Sequence, residues 1–185
     1  AASGRYAGRK AAAYALAAPE VSIDRRQVQR EKARIYAPLK KQQRSIGWKE
    51  LNAGIARVMQ TYCGEYKSAA ALQEGLRILG DIRETEAAAV YAANPHELAH
   101  AVECLSIITA GEAIIQASLA RKASSAILSF SRLDYPEVDP VEWQKLLTIK
   151  LVDGKVTTGE LPLDYYLRPP FAPTFEENYA RHNGL

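Results

Sequence analysis

A strong helix start in the middle of the chain limits what this sequence can fold into. Asn94, Pro95 and Glu97 combine an N-cap residue, a proline at the first helical position and an acid three residues after the cap. Apolar residues then recur at helical spacing as far as about Arg121: Leu98, Val102, Leu105, Ile108, Ile115 and Leu119. The sequence therefore predicts a long helix whose apolar stripe must be buried by other elements.

Two shorter helical patterns precede the long helix and can bury its stripe. From Trp48 to Tyr62 the apolar positions fall on one helical face, and Gly64 is a suitable stop. Ser68 opens a further helix, which we expect to run to about Tyr91. Three helices with short connections predict an antiparallel three-helix bundle.

The flanking segments complete a mainly α chain, with one or two helices before the bundle and a small β-hairpin and an extended tail after it. Residues 3–17 are rich in alanine, and Asp24 can cap a second helix. Asp153-Gly154 separates two alternating runs and predicts the hairpin, and prolines beyond Pro162 indicate an extended arm. We expect domain boundaries that divide the chain into residues 1–45, 46–145 and 146–185.

Composition excludes several classes of function. The 185 residues are 48% hydrophobic and carry a net charge of only +3, with cations interleaved among acids, so nucleic-acid binding is not expected. Cys63 and Cys104 lack disulfide-scaffold or metal-ligand spacing and predict free thiols in a reducing, cytoplasmic setting. Glu103 and Glu112 interrupt the most apolar stretch, which favours a core helix over a membrane span.

The segment His96-Glu97-Leu98-Ala99-His100 matches the zinc-peptidase pattern His-Glu-x-x-His. A catalytic zinc needs a third protein ligand, and the residues that follow supply neither the Gly nor the third His of the extended pattern. Glu97 is explained instead as the capping partner of Asn94. A zinc peptidase is therefore the least favoured alternative, and we expect no stoichiometric zinc.

No catalytic, cofactor-binding or metal-binding residue is predicted in this chain. A Gly-x-Gly-x-x-Gly loop after a strand is absent, since Gly4 and Gly8 follow no strand pattern. The third histidine, His182, lies in the tail, and no residue pattern pairs it with either cysteine as a nucleophile.

The order Ala120-Arg121-Lys122, then Arg132-x-Asp134-Tyr135-Pro136, then Trp143 resembles the C-terminal domain of the succinate dehydrogenase/fumarate reductase flavoprotein family. That family reads approximately Ala-Arg-Lys-Glu-Ser-Arg-Gly, then Arg-x-Asp-Tyr-Pro-x-Arg-Asp, then Trp. The chain departs from that pattern at four positions and in a loop about two residues longer. Those four positions are Ala123, Ser125, Ala126 and Val138. The longer loop and Tyr62-Cys63-Gly64 are also similar to the related adenylylsulfate reductase flavoprotein subunit.

The resemblance implies a fragment of an FAD-dependent oxidoreductase that acts on a small dicarboxylate or similar acid and passes electrons to an iron–sulfur partner. FAD and the catalytic residues would lie upstream of this fragment, which would be an inactive helical domain that serves packing and subunit contact. Residues 1–45 would hold the closing helix of the missing flavin domain and a linker helix. The candidate domain or subunit interface consists of Arg121, Lys122, Arg132, Asp134 and Trp143.

Alternatives remain for these residues and for the chain. Arg121 and Lys122 also suit the C-terminal end of a helix, where cations meet exposed carbonyls. A non-catalytic helical interaction module is the alternative from another class. The helix at residues 3–17 has a composition that suits packing against another element. We therefore also expect the fragment to self-associate through exposed apolar surface.

Overall fold

The computed structural model describes residues 2–41, 45–153, 155–167, 176–177 and 179–180. The helices are α1 (Ala2–Ala17), α2 (Arg25–Tyr36), α3 (Trp48–Tyr62), α4 (Ala69–Glu84), α5 (Glu86–Ala89) and α6 (Pro95–Ala120). The strands are β1 (Tyr66–Lys67), β2 (Ser131–Arg132), β3 (Lys145–Val152) and β4 (Lys155–Pro162), and short 3-10 turns span Ala37–Lys40, Val141–Trp143 and Tyr165–Leu167. The chain divides into two compact units, one of which is Glu31–Leu163. The other comprises the described parts of Ala1–Arg30 and Asp164–Leu185.

Helices α3, α4 and α6 pack together as the predicted three-helix bundle. Their facing stripes form one core of almost fully buried side chains: Leu51, Ile55, Val58, Leu72, Leu79, Ile82, Ala101, Cys104, Ile108 and Ile115. Each buried Leu, Ile or Val contributes about 1.5–3 kcal/mol relative to an exposed one. Burial of the facing stripes of all three helices therefore stabilises this unit.

Side chains cap the helices at the positions that the sequence predicts. The Asn94 Oδ1 accepts the Glu97 N–H at 3.0 Å, and the Ser68 Oγ accepts the Ala71 N–H at 3.3 Å. The Glu97 carboxylate reaches back one residue farther than a standard capping box, accepting the Ala93 N–H at 2.7 Å. Both caps satisfy N–H groups that a helix cannot pair by itself.

The predicted single helix from Ser68 to about Tyr91 is wrong, because it breaks at Thr85. The Thr85 hydroxyl donates to the Asp81 carbonyl at 2.7 Å, and the Thr85 φ and ψ are −106° and −78°. A hydroxyl bonded to the preceding turn competes with the helix ladder. The chain continues as the separate one-turn helix α5.

Small residues let the three helices approach closely. A Cβ on Gly75 in α4 would lie 2.7 Å from the Tyr62 Cβ, and one on Gly111 in α6 would lie 3.1 Å from the Met59 Sδ. Neither position has room for a methyl group without movement of a neighbour. These glycines therefore fix the distances between the helices.

Two small sheets complete the unit. Strands β1 and β2 pair in parallel, with Tyr66 opposite Ser131 and Lys67 opposite Arg132. Strands β3 and β4 form the predicted antiparallel hairpin, which contacts α6, and Asp153 adopts a φ of 50° at its turn. Gly154 lies outside the described residues.

The predicted extended arm is described only in part. Strand β4 continues through Pro162, and Tyr165–Leu167 forms a 3-10 turn rather than an extended segment. The aromatic and proline residues on which the rest of that prediction depends lie outside the described residues: Pro169, Pro170, Phe171, Pro173 and Phe175.

Helix α6 is long and apolar enough to cross a membrane by length and composition alone, and one such helix is weak evidence because core helices pass the same test. Here one face of α6 lies in the bundle core.

In the other unit, the side chains of Tyr14 and Leu16 on α1 are 77% and 90% exposed.

Candidate functional site

The Arg132 side chain joins two helix ends inside the bundle unit. Only 1% of it is exposed, and its Nη1 donates to the Ser118 carbonyl at 2.5 Å and the Arg121 carbonyl at 2.7 Å. Those carbonyls belong to the last turn and C-cap of α6, whose acceptors have no partner within the helix. A buried guanidinium at this end therefore satisfies carbonyls and complements the helix dipole.

The other side of the same guanidinium binds Asp134 with both of its carboxylate oxygens. The Nε–Oδ1 and Nη2–Oδ2 distances are 2.8 and 2.7 Å, a bidentate geometry. Asp134 Oδ2 also accepts the Ala69 N–H at the start of α4, at 2.9 Å. The hydrogen bonds from Arg132 and then Ala69 lower the pKa of Asp134 to about 2. One ion pair thus links the C-terminal end of α6 to the N-terminal end of α4.

Ser124 holds the segment that carries this ion pair. Its Oγ accepts the Arg132 N–H and donates to the Tyr135 carbonyl, both at 2.9 Å. The Tyr135 ring lies 5.0 Å from the Arg132 guanidinium carbon. Because Ser124 is buried, these bonds form in a low-dielectric setting where they hold the loop firmly.

Cations and aromatic rings alternate along the same surface in what we call the cation ladder. Its members in order are Lys67, Phe130, Arg121, Trp143 and Lys145, with cation-to-ring distances of 4.3, 6.0, 5.7 and 4.3 Å. Each contact within about 6 Å is attractive, and the gain rises as the cation loses water. The ladder runs from β1, past the C-terminal end of α6, to the start of β3.

Both ends of the cation ladder are held by oxygen acceptors. Lys145 forms an ion pair with Glu160 at 2.8 Å, and Lys67 donates to the Glu65 carbonyl at 3.3 Å. Burial lowers the pKa of Lys67, and the nearby Arg132 cation lowers it further against the opposing effects of Cys63 and Glu65. Lys67 is therefore a buried ammonium that relies on the Phe130 ring and a carbonyl rather than on a carboxylate.

Arg121 is the central cation and the least satisfied. Its Nη1 donates to the Trp143 carbonyl at 3.4 Å and its Nη2 lies 3.9 Å from Asp139, whereas its buried Nε has no hydrogen-bond partner among the described residues. Lys122, the next residue, is exposed. Lys122 and Trp143 line an open groove of about 500 Å³ between the end of α6 and the hairpin.

The structure brings together four of the five predicted interface residues and leaves one at the edge. Arg132 and Asp134 bind each other, Arg121 contributes its carbonyl to Arg132, and Trp143 stacks on Arg121. Lys122 is exposed beside them. Because Arg132 is buried by its own chain, any contribution that it makes to an interface acts through the residues it holds.

Sequence reasoning missed three members of the cation ladder. Lys67 and Lys145 look like ordinary surface lysines, and their pairing with rings depends on long-range folding. Phe130 carried a usable signal, since it is the one aromatic residue in the segment between Lys122 and Arg132.

The histidine cluster has a local structural explanation. The His100 ring stacks on Trp48 with centroids 4.2 Å apart, meets the His96 ring edge-on at 4.5 Å, and bonds Glu103 through Nδ1 at 2.7 Å. Within the described ranges, no three His, Cys, Asp or Glu side chains are grouped so that they could hold a metal ion.

The start of α4 does not fit the pyrophosphate of a flavin dinucleotide. The helix that follows a parallel strand is α4, and its first N–H groups are already bonded to Asp134 and Ser68. A pyrophosphate needs free N–H groups at such a helix start. The chain therefore offers no cradle there for FAD.

Comparison with known proteins places this geometry in context. The family model described as "Fumarate reductase flavoprotein C-term" matches residues 52–174, and no curated protein sequence matches the chain. Adenylylsulfate reductase from Archaeoglobus fulgidus is similar in fold, with a TM-score of 0.79 and 23% identity over 86% of this chain and 28% of that one.

Two further solved structures are similar. Mycobacterium smegmatis Sdh1 in complex with UQ1 has a TM-score of 0.69 and 23% identity over 84% of this chain and 27% of that one. E. coli quinol fumarate reductase FrdA has a TM-score of 0.71 and 20% identity over 90% of this chain and 30% of that one. The chain thus spans less than a third of the length of these relatives.

Proposed function

Because this chain belongs to the fumarate reductase flavoprotein C-terminal family, we propose that it is the C-terminal helical domain of a larger FAD-dependent oxidoreductase. In this proposal the domain supplies packing and contact surfaces, and the flavin and the substrate groups lie elsewhere in the parent protein. The family match over residues 52–174 carries the proposal. The occupied helix start at α4 supports the placement of FAD outside this domain.

The surface that we propose for contact with the flavin domain or an iron–sulfur subunit is centred on Arg121, Lys122 and Trp143. Lys122 is exposed, and Trp143 lines the 500 Å³ groove beside it. Arg and Trp are enriched among residues that dominate protein interfaces. Arg132 and Asp134 would hold this surface in place from inside, since they fix the chain that follows α6.

We propose that the protein is located in the cytoplasm. Both cysteines are free, with Cys104 buried and Cys63 partly buried. Unpaired thiols are typical of proteins in reducing compartments.

Purification of the protein from its native cells tests the proposal. A tag placed at the genomic locus should recover a polypeptide several times longer than this chain, with flavin absorbance and about one FAD per polypeptide. Peptide mapping should place residues 52–174 in that same polypeptide. Recovery of a polypeptide of 185 residues without flavin would contradict the proposal.

The contact surface has its own test in that purified protein. Trp143→Leu and Lys122→Gln should weaken retention of a co-purifying subunit or loosen the flavin domain in limited proteolysis. Lys49→Gln is a matched control, because Lys49 also lies near a tryptophan, with Nζ 5.7 Å from the Trp48 ring, but far along the chain from α6's C-terminal end. Equal behaviour of all three variants would argue against the surface while leaving the family assignment intact.

A further inference from the structure

We propose that the turn at residues 126–129, here called the apolar turn, docks into an apolar groove on a second copy of this chain. Ile127 and Leu128 occupy its two central positions and are 89% and 64% exposed. Central turn positions normally carry Gly, Pro, Asn, Asp or Ser, which favour the turn backbone or bond to it. Two large aliphatic side chains break that local rule, and such departures concentrate at functional sites.

Backbone hydrogen bonds at the base of the apolar turn hold it in one conformation. Ser125 and Phe130 exchange backbone hydrogen bonds of 2.7 and 3.0 Å at its base, and the Ser129 N–H donates to the Ala126 carbonyl at 3.2 Å. Ser129 adopts a φ of 48°, in the left-handed region.

Two side chains reinforce the turn. The Asp139 carboxylate accepts the Ala126 N–H at 3.0 Å, and the Ser125 hydroxyl accepts the Leu128 N–H at 3.4 Å. Ile127 and Leu128 are thus presented in one backbone conformation, which reduces the entropy lost when they dock.

The same unit carries an apolar groove, here called the hairpin groove, that suits such a turn. The groove lies between α6 and the β3–β4 hairpin and has a volume of about 420 Å³. Its apolar lining comprises Ala113, Ile149, Leu151 and Val156, of which Leu151 is 73% exposed and Val156 45% exposed. Pockets that bind drug-sized groups start at about 300 Å³, so two aliphatic side chains fit in this space.

The charges around the two surfaces are complementary. Glu137 and Asp139 lie at the base of the apolar turn, where the Glu137 carbonyl accepts the Ser124 N–H at 2.9 Å. Asp139 is partly neutralised by Arg121, whose Nη2 lies 3.9 Å from its carboxylate, whereas the exposed Glu137 has no cationic partner among the described residues.

Cations lie at the rim of the hairpin groove. Arg83 there is neutralised by its ion pair with Glu112 at 2.7 Å, but the Lys150 ammonium has no carboxylate partner among the described residues. The unpaired Glu137 carboxylate at the turn and the unpaired Lys150 ammonium at the groove therefore favour each other and disfavour like-charged partners. A second copy carries both surfaces, so a closed dimer makes the contact twice.

The oligomeric state of the purified protein that carries this chain tests the proposal. Sedimentation velocity and light scattering from micromolar to millimolar concentration should show a reversible dimer. Ile127→Ser/Leu128→Ser on the turn and Leu151→Glu in the groove should each raise the dissociation constant at least about tenfold, because truncated apolar anchors dominate interface losses. If the double variant misfolds by circular dichroism, Ile127→Ser alone gives the same test.

Val21→Ser/Ile23→Ser is the matched control, since these residues outside α1 are also apolar and are 80% and 70% exposed. It should leave the dissociation constant unchanged. A dimer lost on Tyr14→Ser/Leu16→Ser but kept in the turn variant would place the contact on α1, as the composition of that helix predicts, and would overturn the proposal. A protein that stays monomeric throughout would overturn it as well.

A charge exchange tests the pairing of the two surfaces. Glu137→Lys should weaken the dimer, and Glu137→Lys/Lys150→Glu should restore it, because the second change returns an opposite charge across the contact. Failure of the double variant to recover would overturn the assignment of the turn to the groove.

Discussion

At the scale of single residues, Arg132 has the most consequences for the structure. Its side chain is only 1% exposed. The guanidinium makes four hydrogen bonds, two to backbone carbonyls and two to one carboxylate. A buried charge of this kind is costly unless it is fully paired, and here the pairing reaches the ends of two helices. The run Arg-x-Asp-Tyr-Pro at residues 132–136 therefore has a structural explanation in this chain before any role in catalysis is considered.

Arg132→Met should destabilise the chain by about 3 kcal/mol, since it leaves two α6 carbonyls unbonded and removes the cation that Asp134 binds. Urea unfolding followed by circular dichroism measures this change. Arg77→Met is the matched control, because its ion pairs with Glu74 and Asp81 are exposed. It should leave stability nearly unchanged. An equal loss of stability in both variants would contradict the conclusion that Arg132 stabilises the chain by linking α6 to α4.

Asp134 should give the chain an acid-sensitive component of stability. Its folded pKa of about 2 lies below the unfolded value of about 3.9. The stabilisation is therefore present above pH 4 and is lost as the pH falls toward 2. Urea unfolding at a series of pH values should show a smaller decline over this range for Asp134→Asn than for the unsubstituted chain. An identical decline in both would show that Asp134 does not cause it.

At the scale of helices and strands, sequence patterns determined most of what is observed. Caps at Ser68 and Asn94 and the stop at Gly64 predicted where α3, α4 and α6 begin or end, because each depends on bonds to neighbours within four residues. The break at Thr85 was missed, since its hydroxyl bond to Asp81 is one of several conformations that Thr permits.

Contacts between distant segments could not be predicted in this way. The parallel pairing of Lys67 with Arg132 and the stacking of Lys145 on Trp143 depend on how the bundle brings loops together. The interface prediction took five residues from the family resemblance: Arg121, Lys122, Arg132, Asp134 and Trp143. The structure shows contacts among four of them and leaves Lys122 exposed beside them. Whether this surface meets a partner stays a prediction.

Helix α4 contains two glycines whose replacement should have opposite effects. Gly75→Ala places a Cβ 2.7 Å from the Tyr62 Cβ and should destabilise the chain by about 1–3 kcal/mol through overpacking. Gly80→Ala meets nothing within 4 Å and should stabilise it by about 0.5–1 kcal/mol through better helix propensity. Thermal unfolding of both variants gives the signs, and destabilisation by Gly80→Ala would contradict the assigned free space.

At the scale of the whole molecule, the order of folding should follow sequence separation. Contacts between residues close in sequence should form before the contacts that join β1 and α4 to the segment after α6. Helices α3 and α4 are neighbours in the chain, whereas Ala69 and Asp134 are 65 residues apart. Closing a longer loop costs more entropy, so such contacts tend to form after local ones.

Folding kinetics test this order. Arg132→Met should raise the unfolding rate several-fold and change the folding rate little, because its contacts would be absent from the transition state. Leu79→Ala in the bundle core should instead slow folding. Stopped-flow chevrons compare the two variants. If the folding rate of Arg132→Met falls in proportion to its loss of stability, the contacts of Arg132 form early in folding.

The separation between Ala69 and Asp134 also matters while the protein is being made. A ribosome adds about 5–20 residues per second, so the carboxylate that caps α4 is synthesised several seconds after the helix start that it binds. During that interval the first turn of α4 has only Ser68 as a cap, and the apolar faces of α3 and α4 await the stripe of α6. Nascent chains halted before residue 134 are therefore the species on which a chaperone would act.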